Sequence, residues 1–196
     1  KKEFLKSSST KIDLNDSLYE NLLKKLTSDS EADVCKQEEL PSYLALLLCM
    51  NPYVPIEWSG DEFSKIKKKL VNQEIQLLEK TQNDALLQNV VYWSKYLGFL
   101  SYTAGKKFIP DPTNVLAKNL NSIMGPKKIA IDEFQSRLGS QIPVFEGGKV
   151  RNEIESKLNT EFQRAEAHFS KTTSFALKRL ELRGLIKFEK VSDANN

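Results

Sequence analysis

Apolar positions along the chain alternate between helical and strand spacing, and the switches fall at glycine or proline. Leu14, Leu18, Leu22, Leu23 and Leu26 lie on one stripe of a helix over residues 13–27. Asp13 or Asn15 can accept hydrogen bonds from its free first-turn amides. A polar loop follows. The longest apolar run, Tyr43 to Met50, predicts a buried helix with Pro41 in its first turn. The two prolines of "NPYVPIEW" end regular helix there. Phe63, Ile66 and Leu70 mark an amphipathic helix from Asp61 to about Leu70, with room to extend through "VNQEIQLLEK". Leu86, Val90, Trp93 and Leu97 form another stripe, capped by Asn83 or Asp84.

Gly98 stands where that helix should stop, because the position after a helix often needs a positive φ. "FLSYTAGKKFI" then predicts a β-hairpin over Phe99 to Ile109, closed by Pro110 and Pro112. "PTNVLAKNLNSIM" predicts a helix broken by "GPKK". A short strand over Ile129 to Ile131 and a helix capped by Asp132 come next. "QIPVFEGG" reads as a loop, and Val150 to Leu158 as a helix running on toward Phe169. The last helix, Thr172 to Arg183, meets Gly184 and becomes the alternating run Leu185 to Val191, a second hairpin strand in need of a partner.

"YWSKYLGFLSY" and "KRLELRGLIKFEK" thus share one order: helix, glycine, alternating strand. That order resembles the winged-helix form of helix-turn-helix, most closely in "FSKTTSFALKRLELRGLIKFE". The resemblance implies a mostly α fold with small β-hairpins, an α+β class, built from two winged-helix-like units in tandem. Their expected extents are residues 1–115 and 116–196, with a seam near Pro112 to Asn121. "VVYWSKYLGF", "IPDPTNVL", "IPVFEGG" and "SFALKRLELRGLI" together resemble the DpdG-type proteins of bacterial DNA-modification and anti-phage defence islands. That second resemblance implies an accessory role near DNA.

Composition narrows the alternatives. Of 196 residues, 40% are hydrophobic and 28% charged, as in ordinary globular proteins. No stretch approaches the roughly 18 apolar residues that cross a bilayer, so no membrane partner is expected. The chain opens Lys1-Lys2-Glu3 rather than with Met, the start expected of a fragment or a processed form. Cys35 and Cys49 make neither a zinc set nor a disulfide framework, which favours a cytoplasmic setting. The net charge of +3 and pI near 8.7 permit nucleic-acid binding, below the pI of about 9 that would argue for it.

Catalytic chemistry has little to stand on. His168 is the one histidine, and a lone histidine on a polar helix is more often a surface or capping residue than a catalyst, because a base needs a partner and a nucleophile. "FEGGKVR" lacks the GxxxxGK[ST] spacing that cradles phosphate. Glu57, Asp61 and Glu62 read as solvated residues at a helix start. No enzyme activity, cofactor or metal is expected.

At about 100° per residue, Thr173, Ala176, Leu177 and Leu180 share the core face of the last helix. Phe175, Lys178, Arg179 and Leu182 lie opposite, with Arg183 at the edge. The expected DNA-contacting set is Lys171, Thr172, Ser174, Lys178, Arg179, Arg183 and Lys187. Phe175 and Leu182 on the outer face ask for apolar cover, which opens a second reading. The expected function is a non-catalytic DNA-binding accessory protein; the alternative is a protein-interaction module in a larger assembly. Expected partners are double-stranded DNA and other proteins of a multi-component system. The run Lys65, Lys67, Lys68, Lys69 is expected to be a solvated helix face, and Trp93 and Leu180 to be buried.

Overall fold

The computed structural model describes residues 18–23, 39–57, 59, 61–62, 64–65, 84–125, 128–165 and 168–189. Residues 18–23 are helical. The named elements are α1 (Glu39–Cys49), β1 (Ile56–Glu57), α2 (Asp84–Leu97), β2 (Leu100–Thr103), β3 (Lys107–Pro110), α3 (Thr113–Met124), α4 (Ile131–Gln141), α5 (Lys149–Ser156) and α6 (Lys171–Leu182). Residues 61–62 and 64–65 are also helical, and the Ser59 hydroxyl caps them by accepting the Glu62 amide at 3.1 Å. The fold is mostly α with one small antiparallel sheet of order β1-β3-β2.

The first apolar run becomes the centre of the molecule. Tyr43 to Leu48 are each no more than 1% exposed, as expected of a helix apolar on every side. α1 packs against α2, α5 and α6. The buried residues form one core running from Tyr19 to Leu180, so it crosses the position of the expected seam. Phe99, just before β2, meets Phe145 in the loop after α4 at 5.8 Å. In the sheet, buried Ile56 of β1 lies opposite buried Phe108 of β3, and Tyr102 of β2 opposite the same residue.

Both glycine stops close their helices in the same way. At Gly98 (φ 85°) the Gly98 amide donates to the Lys95 carbonyl at 3.1 Å and the Phe99 amide to the Ser94 carbonyl at 2.8 Å. At Gly184 (φ 71°) the Gly184 amide donates to Glu181 at 2.9 Å and the Leu185 amide to Leu180 at 3.0 Å. These paired bonds are Schellman closures, which satisfy helix-end carbonyls and need a left-handed residue. After Gly98 the chain forms the expected hairpin. After Gly184 it does not: residues 185–189 form no strand, and the second hairpin is absent among the described residues. Val191 lies outside them.

Other expectations also change. Residues 128–130 form no strand, and Ile131 starts α4. The cap of α4 is Ala130 rather than Asp132, which sits in the first turn with Glu133 and complements the helix dipole. α5 ends at Ser156 and is followed by a 3-10 turn over Thr160–Phe162, so helix does not continue to Phe169. Asn83 and Lys67 to Lys69 lie outside the described residues.

Trp93 corrects the stripe of α2. It is 37% exposed, because the buried positions are Val90, Val91, Ser94 and Leu97. Leu180 is fully buried, as expected. Leu180→Ala should therefore cost about 2–5 kcal/mol, and Trp93→Ala about 1 kcal/mol. Urea unfolding measures both; equal losses would return Trp93 to the core.

Candidate nucleic-acid interface

Two polar clusters hold α6 in place. In the first, Glu146 of the "IPVFEGG" loop is fully buried. It accepts the Ser170 amide at 3.0 Å and the Thr173 hydroxyl at 2.9 and 2.8 Å, so it binds the first turn of α6. Ser170 caps the same turn by accepting the Thr173 amide at 3.2 Å. The Arg151 guanidinium lies 3.7 Å from Glu146, pairs with Glu155 at 2.8 Å and donates to the Ala45 carbonyl of α1 at 3.1 Å. Arg164 also pairs with Glu155, at 2.9 Å. Burial by itself would raise the Glu146 carboxyl, but Arg151 and the Ser170 and Thr173 donors outweigh it and hold it below the usual range. The loop with two glycines is therefore a structural joint.

In the second cluster, Asp111, 3% exposed, follows β3. It accepts from the Ser101 hydroxyl at 2.7 Å, from the Thr113 amide at 3.2 Å and hydroxyl, and from Arg179 of α6. Burial opposes its charge, but the Thr113 and Ser101 donors and Arg179 together hold its carboxyl low. Arg179 is thus tied to the sheet. The Phe175 ring supports it from below at 5.5 Å and meets Tyr53 edge-on, also at 5.5 Å.

The expected contact residues divide accordingly. Thr172 is fully buried and donates to the Met50 carbonyl at 2.6 Å, so its hydroxyl serves packing. Arg179 serves Asp111, and Arg183 reaches Asn114 at 3.4 Å. Lys171 and Ser174 are exposed. Lys178 pairs with Glu181, and Lys187 with Glu189 at 3.4 Å. Leu182 is 76% exposed. The outer face of α6 is therefore divided between internal ties, ion pairs and an open apolar end.

A more open polar and aromatic face lies on α2 and the hairpin. Gln88, Asn89, Tyr92, Trp93 and Lys95 are exposed there. Trp93 meets Tyr92 at 5.7 Å and Tyr96 at 5.9 Å, both edge-on. Lys95 sits 5.3 Å above the Tyr102 ring and so joins the helix to β2. Lys106 and Lys107 are exposed at the hairpin's turn. This face was hidden in the sequence by the assignment of Trp93 to the core. Choosing Val91 in its place turns Tyr92, Trp93 and Lys95 outward.

No curated protein and no solved structure matches the chain. The model of one family, described as DpdG-like, matches residues 4–194. With nearly its whole length so matched, the chain belongs to the DpdG-like family.

Proposed function

We propose that this chain is a non-catalytic accessory protein of a DNA-modification system and that it holds duplex DNA with a winged-helix unit formed by α1 through β3. Membership of the DpdG-like family suggests the accessory role, and the DpdG resemblance extends it to anti-phage defence. One observation carries the winged-helix reading. A helix, a short strand, a helical turn, a second long helix and a hairpin follow in order, and the short strand joins the hairpin's second strand to give β1-β3-β2. A winged helix has that connectivity, with the helix before the hairpin presented to DNA.

In this reading α2 is the reading helix and the β2–β3 turn is the wing. Lys95, Lys106 and Lys107 supply phosphate contacts, while Gln88 and Asn89 have the amides that pair with adenine edges in the major groove. α6, placed by Glu146 and Asp111, packs against α1 of the unit.

The test is duplex binding across a salt series. Lys95→Glu, Lys106→Glu and Lys107→Glu combined should weaken affinity at least about tenfold and lower the log–log salt slope by roughly one per lost contact. Lys178→Glu should change neither. Binding lost in Lys178→Glu instead would place the reading head on α6. Duplex affinity that is absent, or insensitive to salt, would favour the protein-interaction reading, for which exposed Tyr92 and Trp93 are suitable anchors.

A further inference from the structure

Three aromatic rings stand open where α2 meets the hairpin. Tyr92 is 61%, Tyr102 44% and Trp93 37% exposed. On α2, Trp93 meets Tyr92 and Tyr96 edge-on, with 81° and 86° between the planes. Edge-on packing braces the rings without stacking any two of them face to face. Tyr102 shares the inner side of the sheet with its register partner, buried Phe108. β2 is an edge strand, however, so Tyr102 stands at the border of the sheet beside α2. There Lys95, one turn after Tyr92, lies 5.3 Å over its ring. A cation is thus set between two exposed rings. Lys106 and Lys107 are exposed at the nearby turn. Glu57 faces Lys107 across the β1–β3 register, so part of that lysine's charge is already met.

An intact duplex offers such rings little. Its grooves present base edges, while the base faces are covered by their neighbours in the stack. A ring face meets a base face only where the strand is unpaired. Resting on the reading of α2 and the hairpin as the DNA-holding face, we propose that its target is duplex DNA with an unpaired stretch beside it, whose bases stack on Tyr92 and Trp93. Lys95 meets the backbone between stacked bases, and Lys106 and Lys107 hold the flanking duplex. Charge and aromatic surface interleave here as a single strand requires, a cation for phosphate and a ring for each base. An apolar protein surface matches this face less well, because it would have to desolvate the Lys95 ammonium to reach the rings.

Fluorescence anisotropy on the whole chain tests the stacking site with two DNAs, one fully paired and one carrying an unpaired tail of about eight nucleotides, within the usual footprint of a single-strand site. The tailed duplex should bind at least about tenfold tighter than the paired one, the gain that one or two stacked bases supply. Tyr92→Leu combined with Trp93→Leu keeps apolar bulk and removes the ring faces. It should bring the tailed duplex down to the affinity of the paired one. The paired duplex should keep its affinity and its salt slope in this variant, because no phosphate contact is lost. Equal binding of the two DNAs by the unaltered chain would overturn the stacking site and leave the duplex reading standing. So would a leucine variant that keeps its circular dichroism and weakens both DNAs alike. Tailed duplex held through the two rings, with paired duplex not bound at all, would keep the stacking site and remove the duplex reading. Binding of neither DNA would remove both.

Discussion

Arg151→Ala should lower the unfolding free energy by about 3–5 kcal/mol, the cost of leaving a buried charge without its partner. Arg151 is 1% exposed, and its guanidinium is the link between Glu146, Glu155 and the Ala45 carbonyl of α1. Without it Glu146 remains fully buried, with neutral donors alone. The same charge then destabilises the loop that orders the first turn of α6. Arg151→Met in a Glu146→Gln background should lose less than the sum of the two single changes, because the pair acts as a unit. Denaturant unfolding of the four proteins gives the coupling. A loss below about 1 kcal/mol for Arg151→Ala would show that water or movement relieves the site, contrary to its burial.

Gly148→Ala should cost about 1–3 kcal/mol or more by overpacking. Its φ of −85° suits any residue, so the cost is steric rather than conformational. An added Cβ would stand 2.4 Å from the Pro143 carbonyl oxygen and 2.6 Å from its carbon, where no side-chain rotation gives relief. Gly139 of α4 meets the same loop, its added Cβ 2.4 Å from the Gly148 nitrogen. Gly139→Ala should therefore be similarly damaging. Lys149→Ala, exposed next to the joint, should stay within about 0.5 kcal/mol. Thermal melts rank the three; equal melting temperatures would show that the loop gives way without penalty.

Local signals in the sequence were reliable where chemistry was local. Gly98 and Gly184 end helices because only the glycine backbone suits the closing turn, and "TAGK" turns a hairpin for a related reason. Tyr43 to Leu48 showed a buried helix by composition alone. The failures lie where a distant segment decides. Arg151 looks like a surface residue until the Ala45 carbonyl, 106 positions away, accepts from it. Arg179 has the place and charge of a DNA contact, but Asp111, 68 positions away, takes it. Leu185 to Glu189 alternate as a strand should, yet alternation cannot supply the neighbour that a strand requires. For Trp93 the spacing suited a stripe with Val90 and Leu97, but packing against β2 and α1 buries Val91 and Ser94 instead.

The central position of α1 also sets an order of events during synthesis. Its apolar surface emerges early, but the cover it needs from α5 and α6 is made more than 100 residues later, where Arg151 and Thr172 reach back to Ala45 and Met50. A nascent chain that stops short of α5 and α6 lacks most of the cover that the apolar surface of α1 needs. Folding of this protein therefore waits for nearly the whole described chain to leave the ribosome, and until then α1 is a natural site for a chaperone to hold.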